Sequence, residues 1–341
     1  MYKYTHFIPE NIAPSGAKRI GVYNDKGNKV CSIPLGRLAP IQKTKLYSFG
    51  AFSDTHIPYF STSESDLRNA LDYVGQSDCA FSCICGDLTN DGSVAQLKKY
   101  SDIVNAKVAA YGKPVYAIAG NHEATTEYNT DERIQPYTGY PLYYSLGIGS
   151  NGTCVESDVS KTPKTYGDST KDVFIMLGEF RGHNAYVFAD GELQWLKDTL
   201  GLNKGKRCFV FFHVYPTGDC GDACSIYNSD LFSVKQGEFI SILQTHPNAV
   251  FFHGHSHLRF DLQEIDKKAN YSKAFGYHSV HIPSLSAMRD GDASGSSSMV
   301  VVEAGSEGYI VDVYDDCIVL NGRDFVGGNW LPIATYKIDT T

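Results

Sequence analysis

CICGDLTNDG, residues 83–92, joins an apolar run to a Gly-Asp pair and a turn-rich loop. Residues 80–85 read as a buried strand, so Asp87 falls where strand becomes loop. A carboxylate at the carboxyl end of a parallel strand is placed to meet groups from neighbouring strands. Four other apolar runs end the same way: SFGAFSDTH in Asp54 and His56, VYAIAGNHE in Asn121 and His122, CFVFFHV in His213, and AVFFHGHSH in His255 and His257. One Asp or His at a strand end is more often a structural hydrogen-bonding group than a ligand. The repetition over five strand ends favours a metal-binding cluster.

Outward from this stretch, residues 45–53 predict the first strand of the main domain. Its end places Asp54 and His56 two residues apart, and in extended backbone such side chains point the same way. Residues 65–74 predict a helix with Leu67, Ala70, Leu71 and Val74 on one face. Residues 93–111 predict a second helix with Val94, Leu97, Tyr100, Val104 and Val108 as its apolar face, and residues 114–119 a third strand. Strand and helix in alternation mark parallel βαβ units, whose right-handed crossovers bring the strand ends to one edge. Residues 124–172, rich in Tyr, Gly, Ser, Thr and Asn, show no clear periodicity and are expected to be loops over the site. Further strands are expected at 173–178, 185–189, 207–212 and 249–252, and helices at 191–200 and 231–244. Beyond His257, the runs 278–282, 299–303, 309–314, 317–320 and 333–338 read as short antiparallel strands.

A chain of 341 residues with 42% hydrophobic content can bury a large core. Its net charge of -8, with no long Lys/Arg run, argues against a carrier that grips nucleic acid through a basic surface. The 23 tyrosines lack a spacing that would argue for base stacking. An anionic substrate therefore calls for local positive charge, such as metal ions. No apolar run approaches membrane-spanning length and residues 1–16 lack the plan of a signal peptide, so a soluble cytoplasmic protein without membrane contact is expected.

Of nine cysteines, Cys79, Cys83, Cys85 and Cys208 lie in or beside strand runs, as small apolar residues do. Cys220 and Cys224 form the one close loop pair, with spacing for a local disulfide or a soft-metal clip, and unpaired thiols are the favoured reading. Residues 1–44 read as a β-hairpin appendage, with strands at 19–23 and 29–33 around an Asn-Asp-Lys-Gly-Asn turn. It either docks on the main domain, residues 45–341, or attaches the chain to a protein partner.

Asp54, His56, Asp87, Asn121, His213, His255 and His257 together supply enough nitrogen and oxygen ligands for two divalent ions. Mixed ligation without thiolate suits Mn, Fe, Zn, Ni or Co better than Ca. Two ions about 3.5 to 4 Å apart hold a hydroxide between them and clamp a phosphoryl group during in-line attack, so the implied reaction is hydrolysis of a phosphate ester.

The ordered series Asp54-Thr55-His56, Gly86-Asp87, Gly120-Asn121-His122-Glu123, His213 and Gly254-His255-Ser256-His257 resembles the calcineurin-like metallophosphoesterase superfamily over about residues 45–260. The resemblance implies an α/β (α+β) fold of four layers, two mixed sheets flanked by helices, in place of the doubly wound sheet that βαβ units alone suggest. It implies that Asp87 bridges both metals, that Asp54, His56 and His257 complete one site, and that Asn121, His213 and His255 complete the other. His122 is implied to stand off the metals and protonate the leaving group, an effect of about 10²- to 10⁴-fold in such reactions. An acidic partner often orients this histidine, and here Asp91 or Asn90 stands in the matching segment.

Departures narrow the substrate. Gly86-Asp87-Leu88-Thr89-Asn90-Asp91-Gly92 and Ile118-Ala119-Gly120-Asn121 lack the arginines of the protein Ser/Thr phosphatases, and no Tyr follows Asp87 as in purple acid phosphatases. The series is most similar to the branch that includes bacterial cyclic-nucleotide phosphodiesterases, so the expected substrate is a small-molecule or nucleotide phosphodiester. The alternatives are a phosphomonoester and a non-catalytic scaffold or particle component. Arg181 and His183 follow the long loop as candidate substrate contacts, although surface roles are commoner. His253 and His278 read as strand residues, and His281 as a strand residue that can border the site.

Overall fold

The computed structural model describes residues 19–23, 29–34, 44–125, 127–179, 188–221, 235–261, 270–290, 300–301 and 305–340. β1 (Arg19–Tyr23) and β2 (Lys29–Pro34) pair antiparallel as the hairpin sequence requires. The main body runs β3 (Tyr47–Phe52), α1 (Ser63–Gln76), β4 (Cys79–Cys85), α2 (Val94–Tyr111), β5 (Val115–Ile118), α3 (Asp131–Thr138), β6 (Tyr143–Ile148), β7 (Cys154–Asp158) and β8 (Asp172–Leu177). There follow α4 (Glu192–Leu202), β9 (Arg207–Phe212), α5 (Gln236–Gln244), β10 (Val250–His253), β11 (Tyr271–Ser272), β12 (His278–His281), β13 (Arg289–Asp290), β14 (Val300–Val301), β15 (Glu307–Val313), β16 (Cys317–Asp324) and β17 (Asn329–Asp339). β2 lies beside β17.

Two mixed sheets carry the fold. One is ordered β17-β16-β15-β3-β4-β5 and the other β11-β12-β10-β9-β8-β6-β7. In the first, β3, β4 and β5 are parallel and β15 joins β3 antiparallel. In the second, β8, β9, β10 and β12 are parallel. The facing sides interdigitate aromatic rings: Phe49 stacks on Phe81 at 5.3 Å and meets Phe174 edge-on at 5.2 Å, and Phe211 stacks on Phe252 at 4.9 Å. Each such ring contributes a few kcal/mol by burial, and offset or edge contacts add about 0.5–1.5 kcal/mol. α1 and α2 cover the outer side of the first sheet through Leu67, Leu71, Val74, Tyr100 and Ile103, and α4 and α5 cover the second through Leu193, Leu196, Phe239 and Leu243.

At the strand starts a buried ion pair within the second sheet is tied to the first sheet by hydrogen bonds. Arg207 donates from Nε and Nη2 to the two Asp172 oxygens at 2.8 and 3.0 Å, and Nη1 reaches the Tyr314 carbonyl at 2.7 Å. Tyr47 Oη donates to Asp172 Oδ2 at 2.7 Å.

Several expectations change. Residues 124–172 are largely structured: β6 is fully buried between β7 and β8, and α3 packs beside α2. The run YYSLGI between Pro141 and Gly149 is a core strand buried at every position between the nearby β7 and the more distant β8, so no alternation reveals it. β12 pairs antiparallel with β11, as expected, but also parallel with β10, because the chain crosses back before it. Val94 is 67% exposed at the start of α2, and Ile103 takes a place on the buried face. Residues 185–187 of the strand expected at 185–189 and residues 231–234 of the helix expected at 231–244 lie outside the described residues, as do Arg181, His183 and Cys224, and residues 188 and 189 are not in a strand.

Candidate metal centre

The parallel strands β3, β4, β5, β9 and β10 all end at one edge, and the chain continues the ladder beyond them. Asp54 N–H donates to the Gly86 carbonyl at 3.1 Å, His56 N–H to Asp87 at 3.0 Å, and Gly254 N–H to His213 at 2.9 Å. The extended backbone expected at Asp54 and His56 is not what aims them. Both have left-handed φ, 54° and 43°, as do Asp87 (48°), His255 (70°) and His257 (60°). Non-glycine residues at positive φ are uncommon and cost energy, and they persist where surrounding structure over-determines them, most often at functional sites. Here five of the seven residues that end the strands share that conformation, and their side chains gather in one buried cluster.

Two groups result, and they share Asp87: Asp54, His56, Asp87 and His257 in one, Asp87, His213 and His255 in the other, with ligand atoms within 4.8 Å of one another. Asp54 Oδ1 lies 2.9 Å from His257 Nε2, and Asp87 Oδ2 lies 3.0 Å from His213 Nε2 and 3.6 Å from His56 Nε2. Asn121 Oδ1 stands 3.0 Å from His255 Nδ1, beside the second group. The seven side chains expected as ligands therefore converge in one place.

Asp54 Oδ1, Asp87 Oδ2 and His213 Nε2 are buried without a hydrogen bond of acceptable geometry, although the ion-pair distances above are short. Burying such atoms unpaired costs about 1–3 kcal/mol each. These oxygen and nitrogen atoms lie within 4.8 Å of their group's other ligand atoms, a spacing that suits ligands around a cation. The tautomers agree: His213 Nδ1–H donates to the Cys85 carbonyl at 2.7 Å and His257 Nδ1–H to Ala287 at 2.7 Å, leaving each Nε2 for the centre. Glycines make the room. A Cβ at Gly120 would stand 2.3 Å from Asp87 Oδ1, and one at Gly254 2.4 Å from Asp54 Oδ2.

Burial pushes the Asp54 carboxyl up, but the His257 and His213 imidazoles hold it well below the usual range. Asp87 is lowered likewise, His213 outweighing burial. Burial depresses His56 to about 4 and His255 to about 3. For His213 and His257 burial also lowers, but Asp87 and Asp54 respectively overcome it and raise both. The two carboxylates thus favour a proton on His213 and His257, and a cation that takes the same atoms competes with it.

His122 stands apart from the two groups, its ring edge-on to His56 at 4.5 Å. Its N–H donates to Asp87 Oδ1 at 2.9 Å, and its Nδ1 lies 2.6 Å from the Asn90 carbonyl. Asp91, expected as one of two candidates to orient it, is occupied elsewhere: Oδ1 accepts the Ser93 N–H at 2.9 Å, closing the turn before α2. A main-chain carbonyl takes the orienting place, which no side-chain pattern can announce. Glu123, given no role by sequence reasoning, is fully buried among three donors. Its position in the Gly120-Asn121-His122-Glu123 loop was visible, but its partners were not.

His253 and His281 are buried behind the centre. His253 Nε2 lies 3.4 Å from Cys220 Sγ and His281 Nε2 2.7 Å from Ser256 Oγ. Cys220 is a buried free thiol whose pKa burial raises well above its usual value. Among the described residues no helix is long and apolar enough to cross a membrane.

No curated protein matches the chain by sequence. Among solved structures, a dimetal phosphatase from Danio rerio is similar over 87% of this chain and 100% of its own, with TM-score 0.57 and 15% identity. Purple acid phosphatase PPD1 from yellow lupin matches over 94% of this chain and 59% of its own, with TM-score 0.55 and 11% identity. GAP50, the anchor in the inner membrane complex of Plasmodium, matches over 86% and 88%, with TM-score 0.53 and 12% identity. At these identities the likeness is one of fold. The calcineurin-like phosphoesterase profile matches residues 47–259, the stretch that spans β3 to β10 and every residue of the centre. The chain belongs to the calcineurin-like phosphoesterase family.

Proposed function

We propose that this chain is a metal-dependent hydrolase of phosphate esters, acting by preference on a small-molecule or nucleotide phosphodiester. The observation that carries the reading is the pair of buried ligand groups sharing Asp87, with three of their atoms lacking any hydrogen bond of good geometry. Asp54, His56, Asp87 and His257 would hold one divalent ion, and Asp87, Asn121, His213 and His255 the other. Such a metal pair supplies an ionised water as nucleophile and neutralises charge on the phosphoryl group. The protein's own part is then positional and protic. Gly86, Gly120 and Gly254 leave space for the ligands, and Ser53 Oγ, donating to Cys85 at 2.9 Å, ties the β3 loop to the β4 loop.

His122 lies beside this centre with Nδ1–H held by Asn90, so Nε2 is the atom free to carry a proton to a leaving oxygen. The absence of arginine from residues 86–92 and 118–121 favours the diester, which carries one less negative charge than a monoester at neutral pH. The phosphatases among the similar structures favour the monoester as the second reading. A scaffold role, as the name of the Plasmodium anchor suggests for that protein, accords less well with a full ligand set and His122.

The test is hydrolysis of bis-p-nitrophenyl phosphate and p-nitrophenyl phosphate side by side, in metal-stripped protein resupplied with Mn, Ni, Zn or Mg. Diester turnover that returns with metal supports the first reading. Turnover of the monoester alone replaces it with the second, and turnover of neither with metal bound leaves the scaffold.

A further inference from the structure

We infer that Glu123 is the positioning residue that holds His122 in its proton-donating orientation, an assignment that rests on the hydrolase reading above. Its carboxylate is fully buried and both oxygens are used. Oε1 accepts the Thr89 N–H at 2.7 Å and the Thr89 Oγ1–H at 2.8 Å, and Oε2 accepts the Gly120 N–H at 2.8 Å. Thr89 precedes Asn90, whose carbonyl takes the His122 Nδ1 hydrogen at 2.6 Å. Gly120 lies two residues before His122 on the loop that follows β5. Glu123 therefore clamps the acceptor side and the histidine side of that hydrogen bond to one another. Thr89 Oγ1 extends the clamp by accepting the Gly92 N–H at 3.1 Å, and the Asn90 and Asp91 N–H groups are held by Gln96 Oε1 at 2.9 Å each.

The chemistry follows from the geometry. As the phosphorus–oxygen bond to the leaving group breaks, its electron pair stays on that oxygen. His122 Nε2–H gives its proton there, and the neutral imidazole keeps Nδ1–H on Asn90 until solvent returns a proton. A ring free to rotate about its bonds loses that aim. The loss matters only where the departing oxygen needs a proton: an alkoxide does, a 4-nitrophenolate does not.

The Glu123→Gln variant keeps size but turns one acceptor into a donor, so at least one of the three N–H or O–H groups faces another donor. The expected result is kcat on a dialkyl phosphate, whose departing group is an alkoxide, down by about 10²-fold, and kcat on bis-p-nitrophenyl phosphate within about 3-fold, with KM and metal content unchanged. His122→Gln should show the same split, and the double variant no further loss, because the two act as one unit. Thr89→Val, which removes only the hydroxyl, should show the split more weakly and decides the matter where Glu123→Gln does not fold. Equal loss on both esters, or lost metal, overturns the inference. Nitrogen-15 spectra of His122, identified by its disappearance in His122→Gln, separate this from failure of the hydrolase reading. Wild type should hold the proton on Nδ1 even if no ester is turned over, and Glu123→Gln should mix the tautomers; an unchanged Nδ1 signal in the variant also overturns it.

Discussion

Replacing Asp87 by Asn tests the centre most directly, because that carboxylate is the one member common to both ligand groups. The amide oxygen can keep the His122 N–H, now 2.9 Å from Oδ1, while the NH2 takes the place of Oδ2, 3.0 Å from His213 Nε2. With the Asp87 charge gone His213 holds a second proton less tightly, and the NH2 can donate to its Nε2 while Nδ1–H stays on Cys85. The stripped variant should therefore be within about 1 kcal/mol of stripped wild type. Metal separates them. An ion at 100 times its Kd stabilises the folded chain by about 2.7 kcal/mol, so two contribute about 5.5 kcal/mol. An unfolding entropy of about 2.1 cal/mol/K per residue, over 341 residues, makes that a rise in Tm of about 8 °C. Wild type should show that rise and the variant little of it. Turnover of either nitrophenyl ester should fall by at least about 10³-fold, the equivalent of about 4 kcal/mol of lost charge stabilisation. Calorimetric melts with and without metal, paired with initial rates, decide the outcome. A variant that keeps a tenth of the rate, or the full metal-dependent rise in Tm, refutes the shared-ligand argument.

Other outcomes follow from groups away from Asp87. Arg207→Met strands Asp172 in a buried position, which costs about 3–5 kcal/mol and lowers Tm by about 4–7 °C; turnover should be unchanged, since the pair lies at the strand starts, and a loss of activity in folded protein speaks against this division. Glu307 is pushed up by burial from 4.5 to about 7, so it stabilises fully below about pH 4.5 and that contribution is lost as pH rises through 7, about 3 kcal/mol at most. Glu307→Gln, whose amide oxygen can still accept the Phe260 N–H, should flatten the decline between pH 5 and 8 in urea unfolding, and parallel wild-type and variant curves would count against the assignment. Because His213 and His257 hold their protons more tightly than usual, metal binding should release protons and weaken as pH falls; calorimetry in buffers of different ionisation enthalpy measures the release, and none at pH 6 contradicts it.

The ends of β3, β4, β5, β9 and β10 were legible because each is a run of apolar residues closed by a polar group, a local pattern. So were α1, α2 and α4, whose apolar residues recur at helical spacing. β6 was not, since its burial comes from β7 and β8 and its Tyr-rich sequence matches loop composition equally well. The parallel pairing of β12 with β10 escaped for a similar reason: alternation shows a strand and says nothing about which neighbour it joins.

By itself the sequence determined the seven residues at the strand ends, their order, and hence the family, because ligand type and chain order are properties of the chain. The tertiary structure alone decided how they are aimed. Left-handed backbone holds Asp54, His56, Asp87, His255 and His257, at the first two in place of the expected extended geometry, and such strain persists where the surrounding tertiary structure over-determines it. It also decided that a carbonyl of Asn90, not the side chain of Asp91, receives the His122 proton, and that Glu123 braces both loops. Main-chain acceptors are alike at every residue, so which one meets a given imidazole is settled by the path of the loops in space.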